Sequence, residues 1–151
     1  MKIILLLFLV ILILVSYQDR KSMEIKDGCH IMILLLAVME IFAEPEMGIL
    51  SRLLGALCIS APMLVLALLV TGAFGGGDIK LMAAAGLLLG WKSTITAAVI
   101  AVFAAGVYAA FLIIRKKASK GSSFALGPFL CAGLAVSALW GEELWQLWQS
   151  W

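Results

Sequence analysis

Two acidic residues interrupt a very apolar chain at places where an acid is expensive. Asp78 closes the glycine run in TGAFGGGDIKLMAAAG, residues 71–86, and Asp19 follows the first long apolar run, MKIILLLFLVILILVSYQ. Acids near the hydrocarbon boundary of a membrane usually face a bundle interior or a watery cavity. Two of them at one membrane face suggest a dyad. Carboxylates that share a water cannot easily both ionise, because their charges repel. The neutral one can donate a proton to a carbonyl oxygen or a leaving amine. The charged one can take a proton from water, which then attacks an amide. Such a pair hydrolyses peptides with neither a metal nor a nucleophilic side chain. Gly75, Gly76 and Gly77 would let the backbone take conformations closed to other residues, and would let a substrate strand come close. Lys80 either snorkels to lipid headgroups or biases the charge on Asp78.

A plainer reading stands beside this one. An aspartate after a glycine turn is a good N-cap for the helix that follows, here expected over 79–91. Asp19 and Asp27 could equally be acids of an ordinary polar loop. His30, the single histidine, shares a helix face with Asp27, but two weak ligands make no metal site, and it reads as structural. Cys29, Cys58 and Cys131 are far apart in apolar sequence, with no CxxC and no metal-ligand spacing. They read as small buried hydrophobes. Neither a metal nor a cofactor is expected.

The elements that must position these acids follow from composition. Of 151 residues, 64% are hydrophobic and only 13% charged. A soluble domain of this size could not cover so much apolar surface with so few charges. The sequence therefore predicts an all-α integral membrane protein, a bundle of about six transmembrane helices. No period-2 alternation is present, and an open sheet cannot live in lipid. Charges and turn residues mark spans at about 3–18, 29–43, 49–72, 78–91, 93–114 and 122–141. A tail over 142–151, within GEELWQLWQSW at 141–151, reads as a short interfacial helix. One domain over 1–151 is the simplest account. The first run is not followed by an A-x-A-like cleavage site before Asp19, so it reads as a retained span.

Loop charges give a topology. Arg20, Lys21, Lys26, Lys80, Arg115, Lys116, Lys117 and Lys120 fall on one side, eight of the eleven basic residues. Lys2, Lys92 and Arg52 fall on the other. The positive-inside rule puts loops one, three and five in the cytoplasm and both termini outside. Trp91, Trp140, Trp145, Trp148 and Trp151 then lie at the outer interface. Asp19 and Asp78 share the cytoplasmic face. The net charge of +2 is too small to argue for nucleic acid.

Three motifs carry a family resemblance. GGGDIKL at 75–81 resembles the GxGD motif of the prepilin peptidases, a family of integral-membrane aspartic proteases. In that family an apolar residue, a lysine and another apolar residue follow, as Ile79, Lys80 and Leu81 do here. SYQDRKSMEIKDG at 16–28 is similar to the family's aspartate after its first core span, with a basic stretch and then an Ile/Leu-Pro-Asp/Asn element. FALGPFLCAG at 124–133 is similar to the Gly-Pro-Phe segment that opens the last span. Presenilin-like proteases share GxGD, but their Pro-Ala-Leu element is absent.

The resemblance implies that Asp19 and Asp78 are the catalytic pair, and that Asp27 matches the acid of the Pro-Asp/Asn element. Lys26 stands where that element has proline, which keeps Asp27 as a rival to Asp19. Larger bifunctional members carry an N-terminal region with paired CxxC motifs, linked to N-methylation of the cut product. This chain begins at its first span and resembles the short, peptidase-only members, so no methyltransferase activity is expected. The implied substrates are prepilins or pseudopilins with a basic leader and a hydrophobic helix, cut at the cytoplasmic face of the plasma membrane. The other partner is membrane lipid, and the basic loop 115–120 is read as lipid-facing. Oligomeric state is left open. Three other readings remain: a small transporter, a non-enzymatic assembly subunit, and a catalytically inactive relative.

Overall fold

A computed structural model describes residues 2–22, 25–70, 74–115 and 125–150. Among these residues every element is a helix: α1 (Lys2–Ser22), α2 (Asp27–Ala43), α3 (Ile49–Leu69), α4 (Gly76–Ile114) and α5 (Gly127–Gln149). Three of them, α1, α3 and α4, are long and apolar enough to cross a membrane. Large apolar side chains lie exposed along them, among them Leu6, Ile13, Leu50, Leu68, Phe103 and Val107. Such a surface suits lipid and would be costly in water.

Lipid tails are as apolar as leucine, so packing and hydrogen bonds must hold the helices together. Small residues provide the packing. Gly55 of α3 and Gly86 of α4 meet backbone to backbone, and a Cβ on either would collide with the other's carbonyl. Gly133 of α5 lies against the backbone of Ala97 and Ala101 on α4 in the same way. Through these crossings α4 packs against both α3 and α5.

About six spans were expected, and among the described residues there are five helical elements, of which α4 is two helices, the fourth and fifth expected spans, joined at a kink. Their boundary is a break at Gly90 (φ 76°, ψ 172°), a left-handed conformation that glycine adopts without strain. The expected spans part between 91 and 93, and the break falls just before that, at Gly90. It frees carbonyls that lipid cannot satisfy. Arg52, 1% exposed, takes them up. Its Nη1 donates to Leu88 O at 3.2 Å and Leu87 O at 3.4 Å. Its Nη2 donates to Glu40 O and Glu44 O at 3.2 Å each, closing the end of α2.

A second break, at Trp140, divides α5 into a bundle-facing part and a terminal part. Trp145 of that terminal part packs edge-on against Trp91, with ring centroids 5.1 Å apart. α3 ends at Leu69, before the expected limit at 72. The expected basic residues Lys116, Lys117 and Lys120, the start of the sixth expected span and Trp151 lie outside the described residues.

Candidate active site

Asp19 sits in the last turn of α1, four residues beyond Val15. It continues the stripe of Phe8, Ile11, Leu12 and Val15 that α1 buries. Helical spacing thus aims it into the bundle, and it is only 6% exposed. Its Oδ2 accepts the backbone N–H of Gly127 at 2.9 Å. Gly127 opens α5, with Pro128 next to it in the first turn. The first amides of a helix lack partners within it, and that end carries partial positive charge. Asp19 therefore closes α5 from a different helix. A side chain at 127 is excluded by space, since a Cβ there would stand 2.5 Å from Asp19 Oδ2.

Asp78 lies in the first turn of α4 and is 8% exposed. It shares a buried face with Leu81, Met82 and Ala85. The helix starts earlier than the sequence suggested. Gly75 is the N-cap, and Asp78 is the third residue inside. Asp78 is thus not the cap. Its carboxylate turns back to the Gly75 backbone, as an acid three residues past a cap does in a capping box. Its Oδ1 is buried and has no hydrogen-bond partner.

The expectation that Gly75, Gly76 and Gly77 use unusual backbone conformations is not met. Gly75 is ordinarily extended (φ −73°, ψ 142°), and Gly76 and Gly77 are helical. Among the described glycines only Gly90 has a positive φ. The three glycines instead supply space. A Cβ at Gly77 would meet Ile25 at 3.1 Å, and one at Gly75 would meet Asp78 Oδ2 at 3.4 Å. Gly76 faces nothing within 4 Å.

The fold brings Asp19 and Asp78 together. They lie within electrostatic reach of each other, and the buried Cys131 thiol lies within reach of both. Asp27 is placed elsewhere. Its side chain is 72% exposed and accepts from Lys80 Nζ at 2.7 Å. The Lys80 hydrogen bond and charge hold the Asp27 carboxyl below the usual aspartate range. Lys80, assigned from sequence to headgroups or to Asp78, is partnered by Asp27. His30 is buried, with Nε2 2.9 Å from the Gly77 carbonyl oxygen. Sequence reasoning missed this contact and the Gly127 amide. A Gly-Pro pair before an apolar run signals a helix start, but not what the first amide faces.

Among the described residues no three histidine, cysteine or acidic side chains converge as a metal ion would need. A cavity of about 760 Å³ lies towards the opposite helix ends, lined by Phe8, Glu40, Leu88, Ser137 and Trp140 among others. It does not include the aspartate pair.

The fold and site define a class: an all-helical protein with membrane-length apolar helices and two buried aspartates within electrostatic reach of each other. The chain belongs to the type IV leader peptidase family, which matches residues 6–110. That match contains Asp19, Asp27 and the Gly75–Asp78 turn, and stops short of Gly127. The chain is also similar to the prepilin leader peptidase/N-methyltransferase of Bacillus subtilis (strain 168), 28% identical over 137 residues. The similarity covers 91% of this chain and 55% of that relative, so the chain spans little more than half its length. No solved structure matches.

Proposed function

We propose that this protein is a membrane-embedded aspartic endopeptidase that removes the basic leader from prepilin-like or pseudopilin precursors. The observation that carries the reading is that Asp19 and Asp78, each buried at the end of an apolar helix, lie within electrostatic reach of each other. Family membership supports leader-peptide substrates, and the relative's printed name supports prepilins among them.

The hydrogen bonds suggest a division of labour. Asp19 already accepts a backbone N–H at a helix N-terminus, an arrangement that favours its charged form. Asp78 has an unpartnered buried oxygen, which suits a protonated acid. A water held between them gives one proton to Asp19 as its oxygen attacks the scissile carbonyl carbon. Asp78 gives its proton to the carbonyl oxygen. The tetrahedral intermediate then collapses. The C–N bond breaks, the departing nitrogen takes the proton held by Asp19, and the hydroxyl proton returns to Asp78. Both carboxyls regain their starting states. The open side at Gly76 is where an unwound substrate strand has room to approach.

The excess of Lys and Arg in loops one, three and five supports a cytoplasmic active site, with both termini on the other side. The test is leader removal from a co-expressed prepilin. Asp19→Ala and Asp78→Ala should each leave the precursor uncut while the protein still inserts in the membrane. Full processing by both variants contradicts the reading.

A further inference from the structure

His30 lies in the first turn of α2, 7% exposed, and the proposed chemistry makes no use of it. Its Nε2 stands 2.9 Å from the carbonyl oxygen of Gly77. A carbonyl only accepts, so Nε2 carries the hydrogen and donates it. The bond spans 47 residues of sequence and ends on the residue just before Asp78.

On the same face of α2, three residues earlier, Asp27 holds Lys80 Nζ at 2.7 Å. Asp27 Oδ1 also lies 3.8 Å from the remaining His30 nitrogen, Nδ1. Two points on α2 thus grip two points on α4, Gly77 and Lys80, on either side of Asp78. The crossings with α3 and α5 hold α4 further along, at Gly86 and at Ala97 and Ala101, and these two attachments to α2 add a hold at the first turn of α4. Ile25, 3.1 Å from where a Gly77 Cβ would stand, closes the same seam from the segment before α2.

Asp78 needs this grip because nothing outside its own helix start holds its side chain. The carboxylate is tied back to the Gly75 backbone and its Oδ1 has no hydrogen-bond partner, so its position relative to Asp19 follows the backbone of the first turn of α4. We propose that His30 is a positioning residue, which locks the Gly77–Asp78 backbone to α2 so that Asp78 meets Asp19 in register. This rests on the aspartic-peptidase reading. A catalytic group displaced by about 1 Å can lose on the order of 100-fold in rate. Loss of the His30 bond should therefore act on turnover and leave substrate binding largely alone.

The experiment uses the purified full chain and a prepilin-type precursor, with kcat, KM and thermal melting measured for His30→Leu, His30→Gln and Asp78→Asn. Glutamine places an N–H donor at a reach close to that of imidazole Nε2. The expected result is a fall of about 10- to 100-fold in kcat for His30→Leu, with KM within about threefold. His30→Gln should recover most of that loss. A merely structural role would instead lower the melting temperature of both variants and leave the kcat of the folded fraction unchanged. That result overturns the proposal, as does a His30→Leu variant that cuts at the wild-type rate. An active Asp78→Asn variant overturns the peptidase reading and the positioning role with it. An inactive Asp78→Asn beside a fully active His30→Leu overturns the positioning role alone.

Discussion

Gly127 donates its backbone N–H to the Asp19 carboxylate at 2.9 Å, across 108 residues of sequence. The bond joins the last turn of α1 to the first turn of α5. It fixes one member of the proposed pair from outside the segment that carries the other.

Gly127→Ala should damage the site more than a one-carbon change usually does. The new Cβ would stand 2.5 Å from Asp19 Oδ2 and 2.7 Å from its Cγ. Either Asp19 turns away or α5 moves. Overpacking of this kind costs about 1–3 kcal/mol, and a displaced carboxylate costs on the order of 100-fold in turnover. Melting and turnover of the purified variant check both. Gly106→Ala is the matched control, because nothing lies within 4 Å of a Cβ there. It should melt at or slightly above the wild-type temperature.

Asp27→Asn separates the two candidate partners of Asp78. Asp27 is exposed and bound to Lys80, so the variant should lose only a few-fold in turnover, against near-complete loss for Asp19→Asn. Comparable losses would restore Asp27 as the rival. The pair also gives a sign for pH. Lys80 depresses the folded-state pKa of Asp27, so the pair's contribution is fully present above the ordinary aspartate pKa of about 4. It is lost as pH falls through the lowered value. Melting temperatures of wild type and Asp27→Asn should therefore keep a constant difference above about pH 5 and converge in stronger acid.

Arg52 should be a stability residue with no direct part in turnover. Its guanidinium serves four carbonyls at once, two freed by the Gly90 break and two at the end of α2. Arg52→Met removes the guanidinium from all four in a buried, apolar setting, though Glu40 O keeps a second partner, the Glu44 N–H, and the cost should be about 2–4 kcal/mol. Arg52→Lys should rescue little of this, because a lysine ammonium cannot reach both pairs as a planar fork does. Chemical unfolding in detergent measures the loss, and activity per folded molecule should stay near wild type.

Much of the candidate site was legible because it is written in local sequence. Asp19 and Asp78 both interrupt apolar runs, and the basic loops place both at one face. What was not legible depends on contacts across the fold. The Gly127 amide, the Gly77 carbonyl and the carbonyls capped by Arg52 are backbone groups, and backbone groups have no residue signature. His30 looked like core because a histidine that donates one bond to a distant carbonyl cannot be told from one that merely fills space. The boundary at 90 and the start of α4 moved for a related reason. Glycine permits a break or a cap, and which glycine is used depends on Gly55, Arg52 and Ile25 packing from elsewhere.

The central claim is that Asp19 and Asp78 act as one catalytic unit. The most direct test is turnover of Asp19→Asn, Asp78→Asn and the double variant, measured on one prepilin-type precursor with folded protein. Groups that act together are strongly non-additive. The account predicts that each single variant loses nearly all activity and that the double variant is no worse than either. Substantial turnover by either single variant, or single losses that multiply in the double, would contradict it.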